Sequence, residues 1–306
     1  MNFYAERSSN IRKTWMLVFG FLIMVIAIGY AISWYYGNPA ILIFAIILAV
    51  GTNFYAYWAS DKLVLSMSHA RPASRAEFFD FYTVTENLSI AAGLPMPKLY
   101  IIDDPAPNAF ATGRDEKHAV VVATTGLLQM MNRVETEGVI GHELSHIKSR
   151  DMLLMTIAVV LAGFVAIVAD IFFRVSLFGG GRRDDNSNSN ALFMILAVVG
   201  IVLAPVAAKL IQLAVSRRRE YLADASSALL TRYPEGLASA LQKLGSYTAP
   251  MKGANLATAH LFISDPYGLP AQAGGKSGGA GGWIERMFST HPPIQDRVKA
   301  LISTKV

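Results

Sequence analysis

Cysteine is absent from all 306 residues. That excludes a disulfide framework, a thiol nucleophile and a thiolate metal site, so any metal must be bound by His and carboxylate side chains. Charge is scarce too. Asp, Glu, Lys and Arg make up 16% of the chain and hydrophobic residues 53%, against about 25% and 45–50% in an ordinary soluble domain. Mean hydropathy is +0.38. The net charge of +5 is modest, and its Lys and Arg are scattered or flank apolar stretches. Binding of nucleic acid or nucleotide therefore has little support. No internal repeat is present.

The apolar excess is concentrated in four blocks, which is the pattern of a membrane protein. The first runs from about Thr14 to Trp34 and the second from about Ala40 to Trp58. Each is close to the ~20 residues with which a helix crosses a ~30 Å hydrocarbon core. Only Tyr35-Tyr36-Gly37-Asn38-Pro39 lies between them, a tight turn with interfacial aromatics. The first block is long for a signal peptide, lacks a small-residue cleavage pattern and is followed at once by a second span, so it reads as a retained anchor. The third block, about Leu153 to Phe173, contains Asp170, and the fourth, about Ala191 to Val215, contains Pro205 and Lys209. These two either form a second transmembrane hairpin or pack partly against the polar part of the chain. The polar linker Gly179–Asn190 joins them. Arg12, Lys13, Lys62, Lys148, Arg150 and Arg217 to Arg219 flank the spans on one side, whereas the first turn has no basic residue; Arg174, Arg182 and Arg183 near the second linker weaken this asymmetry without reversing it. The positive-inside rule then places both termini and the large polar segments in the cytoplasm.

The segment from Asp61 to Asp151 reads as α+β. Ser74-Arg75-Ala76-Glu77 has the form of a capping box opening an amphipathic helix that Gly93 ends. Lys98 to Ile102 and His118 to Ala123 have the β-branched and aromatic make-up of strands. A further helix is expected over Arg133 to Arg150. The segment from Glu220 to Val306 is mainly helical in pattern, apart from the Gly-rich loop Ala271–Gly282.

His142-Glu143-Leu144-Ser145-His146 carries the chemistry. Residues four apart share a helix face, so both imidazoles can reach one metal ion. Glu143, beside the first ligand, can take a proton from the attacking water as general base. Arg133, Glu135, Glu137, Lys148, Arg150 and Asp151 flank the motif, so this helix lies at the membrane surface and not within the bilayer. A catalytic zinc takes three protein ligands and keeps one position open. Met152 stands where a metzincin would have its third His. Glu220-Tyr221-Leu222-Ala223-Asp224 supplies the alternative, on what reads as a continuation of the fourth apolar helix. Glu220 would ligate, and Asp224, on the same face, would accept the second ring N–H of a ligand His.

PNAFATG, GHELSHIKSRD, EYLAD and STHPPIQDR, in that order, resemble the HtpX-type heat-shock membrane metalloproteases of bacteria, a family related to the CAAX prenyl endopeptidases. The similarity spans nearly the whole chain. It implies one zinc ion per chain on His142, His146 and Glu220, with Glu143 catalytic, and ATP-independent cleavage of misfolded or damaged membrane proteins at the cytoplasmic face of the bacterial inner membrane. It also gives Asn108–Gly113 the place of an edge strand to which an extended peptide adds, with Asn108 hydrogen-bonding it; read alone, these residues equally suit a loop. His291 and Arg297 take the place of groups near the substrate that could stabilise an oxyanion, or else His291-Pro292-Pro293 is simply a helix start followed by a surface Arg.

The expected architecture is thus α+β and mainly helical, a zincin-type, gluzincin-like catalytic domain with four apolar helices. Residues 1–60 form an N-terminal hairpin, 61–152 and 216–306 the two parts of the catalytic domain, and 153–215 two apolar helices read as a second hairpin between them. The partners are polypeptide substrates and the lipid bilayer. Two rivals are a prenyl-protein endopeptidase, disfavoured because only four apolar blocks are present, and an inactive zinc-binding scaffold, which would not need Glu143.

Overall fold

The computed structural model describes residues 3–178, 216–254, 258–268 and 292–303. The fourth apolar block, the Gly179–Asn190 linker, the Ala271–Gly282 loop and His291 lie outside the described residues. The chain divides into two compact units. One comprises Met1–Ile11, Ser60–Thr156 and Val215–Val306, the other Arg12–Ala59 and Ile157–Ala214.

The second unit contains most of α1 (Phe3–Tyr36) and α2 (Pro39–Trp58), both long and apolar enough to cross a membrane. Their turn follows from local chemistry. Gly37 adopts φ +62°, Asn38 accepts the Ala40 N–H, and Pro39 occupies the first helical position. The two helices approach closely where Gly29 faces Ala45, and a Cβ at Gly29 would overlap the Ala45 methyl. Leu17, Phe21 and Ala49 are buried, while Met16, Ile23, Phe44 and Ile47 are exposed. An apolar outer skin of this kind suits lipid. The third apolar block also forms a helix, within α7 (Asp151–Phe178). From it Phe164 meets Phe21 edge-to-face at 5.9 Å.

The first unit holds a four-stranded sheet in the order β1-β2-β4-β3, made of β1 (Arg71–Pro72), β2 (Lys98–Ile102), β3 (Ala109–Thr112) and β4 (Val120–Thr124). Strands β2 and β4 are parallel, with Tyr100 opposite Val122, and the other pairs are antiparallel. Strand β2 has the bounds expected from its sequence. Strand β4 begins two residues later than expected because Asp115 caps a short 3-10 turn over Glu116–His118, accepting from the Lys117 and His118 amides.

Helices α3 (Ser60–Met67), α4 (Phe79–Ala92), α5 (Thr125–Met130), α6 (Arg133–Ser149), α8 (Arg217–Thr231), α9 (Pro234–Ser246) and α10 (Ile294–Ser303) complete this unit. The capping box expected at Ser74 does not form. Residues 75–77 make a turn, α4 starts at Phe79 without a side-chain cap, and Glu77 pairs with Arg71 at 3.2 Å instead. Gly93 does end α4, in the left-handed conformation at φ +68°. A true capping box opens α6, where Asn132 and Glu135 exchange side-chain and backbone hydrogen bonds. Phe81, Ile101, Val121, Ile140, Leu144 and Leu241 belong to one buried cluster between sheet and helices.

Two glycines on α6 decide how closely the site helices pack. A Cβ on Gly138 would lie 2.6 Å from the Leu237 backbone of α9, and one on Gly141 would lie 2.7 Å from Ser227 of α8. The space is used: Ser227 donates to the Gly138 carbonyl at 2.7 Å.

Candidate metal centre

Helix α6 presents His142 and His146 one turn apart, both buried, with their Nε2 atoms 3.0 Å from each other. Helix α8 brings Glu220 to the same point. Its Oε2 is 3.7 Å from His142 Nε2 and its Oε1 3.7 Å from His146 Nε2. Ser216, extended at φ −151° and ψ 112°, precedes α8, so this helix starts at Arg217, and the fourth apolar block, from which the sequence pattern continues it, lies outside the described residues.

Each imidazole is gripped from behind. Asp224 lies 3.0 Å from His142 Nδ1, and Asp151 lies 2.9 Å from His146 Nδ1. A carboxylate there holds the ring proton on Nδ1 and leaves the Nε2 lone pair facing inward. Two such lone pairs and a carboxylate then converge, and these acceptors repel one another unless a cation lies among them. The spacing also fits. Four donors at ~2.0–2.1 Å around zinc are ~3.3–3.4 Å apart in a tetrahedron, which falls between the observed 3.0 and 3.7 Å. These donors, all N and O, suit zinc and satisfy the requirement set by the lack of cysteine.

The carboxylates around the site draw positive charge to it, a proton on His146 or a metal ion in that proton's place. Burial alone would lower the His146 pKa, but Asp151, Glu220 and Glu143 outweigh it and raise it to about 10. Burial holds His142 below the ordinary imidazole range, with Asp224 opposing and His146 and Arg297 adding to the drop. Glu143, buried on α6, is pushed up to about 7, chiefly by desolvation. The Asp224 carboxyl is raised by burial but pulled further down by Arg297 and His142, and ends below its usual range.

Sequence reasoning noticed Asp151 only as a charged flank. It lies five residues after His146, off the helical repeat, and reaches the ring because α6 stops at Arg150, whose φ of +56° turns the chain before α7 begins. Arg219, also buried, lies 3.9 Å from Asp151. An acid just beyond a helix break is the signal that could have found this residue.

Arg297, on α10, is fully buried at the site. It donates from Nε and Nη2 to the two Asp224 oxygens at 2.9 and 2.7 Å, and its Nη1 lies 3.6 Å from Glu220 Oε2. It is not a surface residue. Asn108 is buried immediately before β3, with its side-chain amide bonded to the Ser264 backbone. Strand β3 is an edge of the sheet, as the family resemblance implied.

The model of peptidase family M48 matches residues 76–305. Over nearly its full length the chain is similar to proteins named protease HtpX homolog. The one from Caldanaerobacter subterraneus subsp. tengcongensis is 43% identical over 99% of this chain and 98% of its own length. The one from Dictyoglomus turgidum is 45% identical over 98% and 94%, and the one from Streptococcus gordonii 41% over 97% and 98%. Among solved structures, the crystal structure of S. mikatae Ste24p aligns with 97% of this chain and 66% of its own, at 19% identity and a TM-score of 0.47.

Proposed function

The chain belongs to peptidase family M48, and we propose that it is a membrane-embedded zinc metalloendopeptidase that hydrolyses peptide bonds of misfolded or damaged membrane proteins at the cytoplasmic face. One observation carries the chemistry: His142, His146 and Glu220 offer three buried ligand atoms within 4.8 Å of one another, next to a buried Glu143. When bound there, zinc supplies Lewis acidity that polarises the scissile carbonyl and brings the pKa of water toward ~7. Glu143 takes the proton of the attacking water and passes it to the departing amine nitrogen. Asp224 and Asp151 keep both rings in the tautomer that presents Nε2. Arg297 fixes Asp224 and places positive charge beside Glu220. The outward main chain of β3 at Ala109 and Ala111 aligns an extended substrate.

The family makes the chain a metallopeptidase, and α1 and α2 are candidate spans. The inner-membrane, multi-pass topology and the function in stress-related quality control rest on the sequence resemblance and on the excess of Lys and Arg on one side of the spans. The same reading assigns 1–60 and 153–215 to membrane hairpins and 61–152 and 216–306 to the catalytic domain, His291 to the substrate side, and four apolar helices to a gluzincin-like fold. Glu143→Gln tests the chemistry. It abolishes cleavage of a denatured membrane protein while zinc stoichiometry and membrane insertion stay unchanged. Substantial activity in this variant overturns the assignment.

A further inference from the structure

The groups proposed to hold a peptide are engaged by one short stretch of the protein itself. Ile263 donates its N–H to the Ala109 carbonyl at 2.9 Å. Asn108 donates from Nδ2 to the Ser264 carbonyl at 2.9 Å and accepts the Ser264 N–H on Oδ1 at 3.2 Å. Arg297 donates from Nη1 to the Ile263 carbonyl at 3.3 Å. As the chain advances from Asn108 to Ala109, its partners step back from Ser264 to Ile263, so the two run antiparallel, as a strand added to an edge can. The other side of β3 is already taken by β4. Ile263 is buried, and Phe262 packs edge-to-face on Phe110 at 4.9 Å.

Resting on the peptidase reading, we propose that Phe262–Ser264 is a built-in substrate mimic, which a polypeptide carrying a bulky aliphatic side chain in the place of Ile263 displaces from β3. The Ile263 carbonyl is directed at the guanidinium that also holds Asp224, beside the proposed metal ligands, and a substrate must likewise bring its reacting carbonyl within reach of the metal centre. The stretch makes a single main-chain bond to β3, its other bonds running through the side chains of Asn108 and Arg297. A peptide making the same bonds and filling the same apolar places replaces them one for one, and what it must still offset is the entropy of association. The buried place of Ile263 selects an apolar, branched residue and rejects a charged one, which would be desolvated without a partner.

The lack of cysteine makes the test direct. Full-length protein carrying F110C, F262C and E143Q is purified in detergent, and the two thiols are joined by oxidation or by a short bis-thiol reagent. A fluorescent peptide copied from residues 261–265 is titrated by anisotropy. The reduced protein binds it and the tethered protein binds at least about tenfold more weakly. Equal affinity in the two states, or no binding in either, overturns the proposal. S264P, which lacks the N–H given to Asn108, tightens peptide binding several-fold; unchanged or weaker binding in a folded S264P also overturns it. The same peptide with Asp in the place of Ile263 binds more weakly than the parent. Binding is read without turnover, so absent cleavage by the Glu143 protein counts against the metallopeptidase reading alone.

Discussion

Arg297 and Asp224, 73 residues apart in sequence, meet in a buried two-point fork, with the guanidinium Nε and Nη2 at 2.9 and 2.7 Å from the two carboxylate oxygens. The oxygen nearer Nη2 is also 3.0 Å from His142 Nδ1, so an Arg–Asp–His chain ends on a metal ligand. Fork geometry strengthens this ion pair, and burial makes the loss of either partner costly.

Removing one member of this pair leaves a buried charge alone. Arg297→Ala is expected to destabilise the protein by about 3–5 kcal/mol, read as a large fall in melting temperature. Arg297→Lys keeps the charge but loses the fork, and falls between the two. Asp224→Asn keeps the shape and weakens zinc binding by roughly 10–100-fold in competition with a chromophoric chelator. Wild-type affinity in Asp224→Asn removes the residue from the support of His142.

Asp151→Asn makes the equivalent change behind His146, 2.9 Å from its Nδ1. A loss of zinc affinity of roughly 10–100-fold is expected, together with retained secondary structure by circular dichroism. If Asp151 serves only to end a helix, the affinity does not move.

Gly138→Ala sets two effects against each other. Helix propensity favours Ala by up to about 1 kcal/mol. The new methyl, however, meets the Leu237 backbone at 2.6 Å, and no flexible side chain is there to yield. Overpacking of this kind costs about 1–3 kcal/mol, so the net change is destabilising. Thermal unfolding with and without zinc measures it, and a stabilised variant contradicts the close approach of α6 and α9.

Glu135 links pH to stability away from the metal. Burial pushes its carboxyl up, but Lys243 at 2.6 Å, Ser239 and the Asn132 amide outweigh this and hold it below the usual carboxylate range. Because the folded pKa is the lower one, the contribution is present above the unfolded value of about 4.3 and is lost as pH falls through the folded value. Glu135→Gln is therefore less stable than the parent near neutral pH, and the gap narrows as pH drops below about 4. A gap that stays constant across that range excludes this linkage.

Much of this protein could be read from periodicity and local chemistry. Residue spacing alone puts His142 and His146 on one helix face, and Lys98–Ile102 is a strand by its own composition. Long apolar runs make α1 and α2 helices, and Gly93 ends α4 because it alone there tolerates φ +68°. Signals of this kind act within a turn or two of chain. Where a distant residue intervenes, they mislead: Asp103, at 2.7 Å, pins Arg71 across the sheet edge, and Glu77 pairs with that Arg71 and not in its expected capping box.

What the sequence determined by itself was the inventory: two histidines and a glutamate on one helix, an acidic pair on another, and no thiol to compete with them. Tertiary structure decided which atoms meet. It set Glu220 at 3.7 Å from both Nε2 atoms, turned Asp151 back onto His146, buried Arg297 on Asp224 and laid Ile263 and Ser264 against β3 and Asn108. The reason is physical. Helix contents follow from a 3.6-residue repeat, whereas the distance between two helices depends on what their facing side chains leave room for, and here Gly138 and Gly141 leave the room.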